Sequence, residues 1–304
     1  MHHTVFNKLL FALLFACCCP SWGAGVSFGS AHVVVIDEAT GQVLLEKDAT
    51  TAAPIASLTK LMTAMVVLDA QQDLGEPVRI DEADMDWLKL THGGVPVGAE
   101  VPRGILLALA LVASDNHAAA ALARNYPGGI AAFTEATQRK IGALGLANTT
   151  LVEPTGLSPA NHASALDMAK VLQATQSYPL IAQTTSQRSH AVLVNGQPWA
   201  VHNTNRLVGK PGWDVLASKT GFTNEAGRCL TMRLRAGGRT VSVVLIGALA
   251  SSARAHDALN IRRWLDGEAP VQVAAQSVWR VHASARKARA AQIVRVSYAG
   301  PAAP

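Results

Sequence analysis

Cysteine is scarce where a disulfide framework would need it. Of four cysteines, Cys17, Cys18 and Cys19 stand side by side near the N-terminus and only Cys229 lies in the body of the chain. That excludes an internal disulfide staple and is compatible with an oxidising compartment. Histidines are scattered (His92, His117, His162, His190, His202, His256) and no His-Glu-x-x-His spacing occurs, so neither a metal nor another cofactor is expected. Aromatics make up 5% of the chain and do not interleave with basic residues, which argues against nucleic-acid binding. Internal repeats are absent. Acidic residues run out at Glu268, after which Arg280, Arg286, Lys287, Arg289 and Arg295 carry much of the formal charge of +5. Residues 269–304 therefore read as a flexible, solvated Ala/Arg-rich tail, with contact to an anionic membrane or wall surface as the second reading.

What is present starts with a leader. Lys8 precedes the apolar run Leu9 to Cys19, then Pro20 to Gly25 supply small and turn-forming residues. The run is too short to span a bilayer and reads as a secretory signal over residues 1–24, cleaved near Gly23 or Ala24. An alternative places a lipid anchor on Cys17, after Leu14, Phe15 and Ala16. Either way the chain is expected outside the cytoplasm. The remaining length is ample for one large domain or two modest ones.

Ala31 to Ile36 and Val43 to Glu46 are β-branched and apolar runs around Glu38-Ala39-Thr40-Gly41, the pattern of a hairpin. Helical spacing begins near Ser57 and runs through Leu61, Met65 and Leu68. Leu106 to Ala123 is apolar all round, as in a buried helix, interrupted in register by Ser114-Asp115-Asn116, and Gly128 to Gly142 follows. Val215 to Lys219, Cys229 to Arg235 and Thr240 to Ile246 read as strands, and Ala253 to Leu265 as a closing helix. Strands at both ends with helices between predict an α+β fold. Its antiparallel sheet would come from about 30–62 and 206–268, with an inserted all-helical lobe at about 63–205, all within a domain of residues 25–268. A cleft between the lobes is the default site.

Three short patterns carry chemistry. Ser57 and Lys60, three apart at a helix start, share a face, which couples a nucleophile to a base once burial or a neighbouring cation destabilises the ammonium. Ser114-Asp115-Asn116 puts polar groups in an apolar helix, where they need partners. Facing the same cleft, Ser114 would relay a proton between Lys60 and a leaving nitrogen while Asn116 bonds a substrate amide; the bland alternative is a helix break with a capping Asp. Lys219-Thr220-Gly221 ends a predicted strand. Gly221 would let a substrate backbone lie along the edge, Lys219 and Thr220 would bind it, and Lys219 would depress the Lys60 pKa by like-charge repulsion.

Jointly, Ser-x-x-Lys, Ser-x-Asn and Lys-Thr-Gly in this order are far more specific than any one. The arrangement resembles the penicillin-recognising serine enzymes. Pro54 to Thr63, Glu153-Pro154-Thr155-Gly156-Leu157, and Lys219 to Thr223 with Ala226-Gly227-Arg228-Cys229 resemble the D-alanyl-D-alanine carboxypeptidase family of low-molecular-mass penicillin-binding proteins. Within that family they are most similar to its endopeptidases, of the penicillin-binding protein seven type, over roughly Ala31 to Leu265. The resemblance implies peptidoglycan peptides as substrate, β-lactams as covalent inhibitors and a periplasmic address. It makes Ser57 the acylated nucleophile, Lys60 the general base, Ser114 and Asn116 the relay and binding pair, and the backbone N–H groups of Ser57 and Phe222 the oxyanion hole. Asp115 departs from the glutamate expected at that middle position.

Rival readings are weaker. A class A β-lactamase needs a glutamate for its deacylating water, and no convincing counterpart occurs. Gly25-Val26-Ser27-Phe28-Gly29 matches Gly-x-Ser-x-Gly but lacks the strand before it and the helix after it. A non-catalytic peptidoglycan-binding scaffold would not need Ser57, Lys60, Asn116 and Lys219 intact. Residue physics leaves endopeptidase and carboxypeptidase both open.

Overall fold

The computed structural model describes residues 26–86, 89 and 94–269. The expected leader, Cys17, His92 and the basic tail beyond 269 lie outside the described residues. In chain order the strands are β1 (His32–Asp37), β2 (Val43–Lys47), β3 (Ala53–Pro54), β4 (Pro77–Arg79), β5 (Glu100–Pro102), β6 (Thr149–Thr150), β7 (His162–Ala163), β8 (Ser189–Val194), β9 (Gln197–His202), β10 (Asp214–Thr223), β11 (Gly227–Ala236) and β12 (Arg239–Ala248). The α-helices are α1 (Thr59–Asp69), α2 (Arg103–Ala108), α3 (Asn116–Arg124), α4 (Gly129–Ala143), α5 (Ala165–Ala174), α6 (Pro179–Thr185) and α7 (Ser251–Leu265). Among them, no helix is long and apolar enough to cross a membrane.

The main sheet is antiparallel, ordered β10-β11-β12-β1-β2, so the two ends of the chain meet where β1 pairs with β12. The period of two along β1 explains how both faces become buried. Val34 and Ile36 join the core built with α1 and α5, whereas Val33 and Val35 face the other way into a core shared with Ala258 and Ile261 of α7. This is the expected α+β architecture, an end-to-end sheet with helices inserted between its halves.

Two features of the inserted span differ from the sequence reading. It also carries small ladders, β4 with β5, β8 with β9, and β6 with β7, the last extended by β3 from before the span. Most of these strands are only two or three residues long, too short to register as periodicity, while β8 and β9 are six residues each. The apolar run from Leu106 to Ala123 is not one helix either. It is α2, a π-helical turn at Leu109–Ala113, a break, and α3. The break has a local cause: Ser114 sits in the left-handed region (φ +64°), and the Asp115 side chain caps α3 by accepting from Ala118 N at 2.9 Å. The capping alternative thus holds for Asp115.

Candidate active site

Ser57 lies in a 3₁₀ turn, Ala56–Leu58, that runs directly into α1. Two glycines fix this turn by close backbone approach. A Cβ on Gly156 would stand 2.0 Å from Ala56 O, and one on Gly221 would stand 3.0 Å from both Ile55 O and Ser57 N. Only glycine lets the 153–157 loop and β10 press against the turn from two directions. The contact brings Phe222, next along β10 and 47% exposed, beside Ser57 at the cleft.

Lys60 follows Ser57 by one helical step and is buried, 1% exposed. Its Nζ lies 3.0 Å from Ser57 Oγ, 2.7 Å from Asn116 Oδ1 and 2.7 Å from the Thr155 carbonyl oxygen. Burial lowers its pKa to about 8, against the opposing pull of Glu153, Asp115 and Asp86. At Lys219, also 1% exposed, burial again leads in pushing the pKa well down, and the positive charge of Lys60 adds to it. The like-charge effect expected on Lys60 therefore falls on Lys219, while desolvation is what weakens Lys60 as an ammonium.

Ser114 and Asn116 flank Asp115 on opposite sides of the helix break, and both line the cleft. Asn116 accepts from Lys60. Ser114 Oγ accepts from Lys219 Nζ at 2.8 Å, and Lys219 also donates to Thr220 O at 3.0 Å. Thr220 Oγ1 donates to Thr204 Oγ1 at 2.7 Å. Ser57, Lys60, Ser114, Asn116, Lys219, Thr220, Gly221 and Phe222, drawn from three separate segments, thus converge on one cleft of about 900 Å³.

Several supporting residues have roles that a reading of motifs does not give. Glu153 ties its own loop by accepting from Thr155 N, Gly156 N and Asn161 Nδ2 at 2.7–3.0 Å. That knot presents the Thr155 carbonyl to Lys60. A carboxylate just before Pro-Thr-Gly is the only sequence signal for it. Thr204, Asn205, Arg228 and Arg254 also line the cleft; Arg228 falls in the Ala226-Gly227-Arg228-Cys229 segment, and nothing in the local sequence marks the other three. Ser27 and Phe28 of the Gly-x-Ser-x-Gly match precede β1 with no helix after them, far from the architecture that motif requires.

Such a site couples a serine hydroxyl to a buried amine, the pairing of a nucleophile with its base. The comparisons with known proteins agree. The family model described as D-alanyl-D-alanine carboxypeptidase matches residues 24–250. A D-alanyl-D-alanine endopeptidase of Pseudomonas aeruginosa is 41% identical over 255 residues, covering 83% of this chain and 82% of that protein. One from Escherichia coli K12 is 38% identical over 266 residues, covering 87% and 84%. Among solved structures, the Streptomyces K15 DD-transpeptidase superposes with a TM-score of 0.73 at 25% identity, covering 80% of this chain and 98% of that one. The chain therefore belongs to the D-alanyl-D-alanine carboxypeptidase family and is a serine peptidase of the penicillin-binding fold.

Proposed function

We propose that the chain is an exported D-alanyl-D-alanine endopeptidase, cutting the amide between a D-alanyl carbonyl and the side-chain amine of a cross-bridging diamino acid in peptidoglycan. The observation that carries the mechanism is the coordination of Lys60. As a neutral amine it keeps two hydrogens, and the two acceptors at 2.7 Å, Asn116 Oδ1 and Thr155 O, take both. The lone pair then faces Ser57 Oγ at 3.0 Å, the geometry of a general base.

Ser57 Oγ attacks the D-alanyl carbonyl and its proton passes to Lys60. The Ser57 and Phe222 N–H groups hold the developing oxyanion, a contribution worth about 3 kcal/mol per donor. Ser114, whose Oγ accepts from Lys219, directs its own O–H to the leaving nitrogen and is reprotonated by the Lys219 ammonium. Lys219, Thr220 and Asn116 position the substrate peptide. Water then displaces the acyl group, Lys60 returns its proton to Ser57, and the proton released by water restores Lys219 through Ser114. A β-lactam enters by the same acylation and stays because its leaving group remains tethered. The preference for endopeptidase rests on the names of the 41% and 38% identical relatives. Periplasmic export rests on the leader at residues 1–24.

The test is incubation of purified protein with cross-linked muropeptide dimers and with pentapeptide monomers, products read by mass spectrometry beside Ser57→Ala. Dimer cleavage lost in the variant supports the endopeptidase. Release of terminal D-alanine alone makes it a carboxypeptidase, and no Ser57-dependent product from either substrate returns the scaffold reading.

A further inference from the structure

Where the helical lobe faces β10 across the cleft, a ring of hydrogen bonds encloses the pair that serves the leaving group. Thr204 N donates to Val112 O at 3.1 Å, and Thr220 Oγ1 bonds Thr204 Oγ1 at 2.7 Å. Lys219 Nζ donates to Thr220 O at 3.0 Å and to Ser114 Oγ at 2.8 Å. Ser114 stands two residues after Val112, so the backbone through Ala113 completes the circuit. Ser114, Lys219 and Thr220 already have parts in the chemistry. Thr204 has none.

Thr204 lies in the loop between β9 and β10, exposed on the cleft, with its two neighbours tied down. Asn203 Nδ2 donates to Thr185 O at 2.9 Å and to Gln187 O at 3.1 Å, while Asn203 Oδ1 accepts from Asn205 N at 2.9 Å. Asn205, 4% exposed, accepts from Leu207 N at 3.1 Å. Side chains that bond the backbone two residues on in this way fix the loop on either side of Thr204. The Val112 carbonyl it reaches belongs to the π-helical turn Leu109–Ala113, whose end leaves such groups without a partner inside the helix. Lys219, by contrast, carries its ammonium on a flexible four-carbon stem, which a single bond to Ser114 does not hold in place. The Thr220 carbonyl supplies the second bond, and Thr204 fixes Thr220.

We propose that Thr204 is a positioning residue for the leaving-group relay: by tying Thr220 to the end of the π-helical turn, it holds Lys219 Nζ against Ser114 Oγ. The inference rests on the peptidase reading above and adds to it a residue outside the three motifs. As the carbon–nitrogen bond breaks, Ser114 gives its hydroxyl proton to the nitrogen, Lys219 replaces that proton, and the amine departs neutral. The contacts that make Ser57 a nucleophile, from Lys60 to Ser57, Asn116 and Thr155, lie outside the ring. Loosening the ring therefore slows departure of a nitrogen and spares attack by Ser57.

The test uses two synthetic substrates with the same D-alanyl acyl group, one an amide and one a thioester. An amine leaves only with a proton from the relay, whereas a thiolate leaves without one. Thr204→Val removes the hydroxyl and keeps the N–H that bonds Val112. In this variant kcat/KM for the amide falls about tenfold to a hundredfold, while the thioester stays within about twofold of the native value. Thr204→Ser, which restores the hydroxyl, recovers most of the amide rate. The thioester rate also reports that the variant is folded. An amide rate unchanged in Thr204→Val overturns the inference, and so does a parallel loss of both substrates, which marks Thr204 as structural. A Thr204→Ser variant no better than Thr204→Val overturns it as well, because the hydroxyl is then not what acts. If the native protein shows no Ser57-dependent turnover of either substrate, the peptidase reading fails and the inference falls with it.

Discussion

At the residue scale, Lys60 sets how this protein responds to pH. Its amine acts as a base only when neutral, and burial places its pKa at about 8. Below that value each unit of pH removes about nine-tenths of the competent form, so acylation of Ser57 by a β-lactam rises about tenfold per pH unit up to pH 8 and then levels. Stopped-flow acylation across this range checks it; a flat profile assigns the base elsewhere. Lys60→Met, which keeps the length and apolar stem but not the lone pair, slows acylation by about 10²–10⁴-fold. Folding survives that change, because the buried charge and its desolvation cost go together. The thermal midpoint and the acylation rate of Lys60→Met therefore move independently.

Elements hold the reacting groups by close approach, and here glycine is decisive. Gly221→Ala pushes a methyl to 3.0 Å from Ser57 N and Ile55 O, so either β10 or the 3₁₀ turn must shift. Misplacement of that order costs about a hundredfold in acylation, with little loss of stability because β10 keeps its ladder to β11. Single-turnover acylation beside a melting curve separates the two effects. Glu153 acts on the other side of the turn. Glu153→Ala strips the acceptor from Thr155 N, Gly156 N and Asn161 Nδ2, which costs about 2–4 kcal/mol in urea unfolding. It also slows acylation, since the Thr155 carbonyl no longer holds Lys60. The strands β10, β11 and β12, the helix beginning near Ser57 and helix α7 were all legible as periodicity, though the 3₁₀ turn that opens that helix was not. The break between α2 and α3 was legible only as an alternative to a continuous helix, because a left-handed Ser114 and a capping Asp115 also look, in sequence, like a tolerated polar patch. The Glu153 knot was not legible because most of its partners are backbone N–H groups, which carry no letter, and its side-chain partner Asn161 lies eight residues on.

For the molecule as a whole, stability hinges on tying the early strands to the late ones. Arg233 of β11 pairs with Glu38, after β1, through Nε at 2.8 Å and Nη2 at 2.7 Å, and Ser242 Oγ of β12 donates to the same carboxylate at 2.7 Å. The pair is 12% and 8% exposed. Arg233→Met leaves the Glu38 charge buried without its cation and lowers unfolding free energy by about 3–5 kcal/mol, whereas adding Glu38→Leu restores most of it. Denaturant midpoints of the single and double variants measure both. A double variant no better than the single one contradicts the account.

By itself the sequence determined which residues could react. The spacing of Ser57 and Lys60 is a local fact of a helix start, fixed within four positions, and the polar triplet and the Lys-Thr-Gly strand end are equally local. The sequence also determined an antiparallel sheet made from both ends, because period two is written along each strand. Tertiary structure alone decided what these groups do to one another. Lys60 is weakened by burial rather than by Lys219, since desolvation depends on every neighbour that excludes water, and no sequence window contains them. The same holds for Arg228 and Arg254: each is an ordinary basic residue on its own element. Only the packing of α7 against β11 and β12 sets both guanidiniums at the cleft wall.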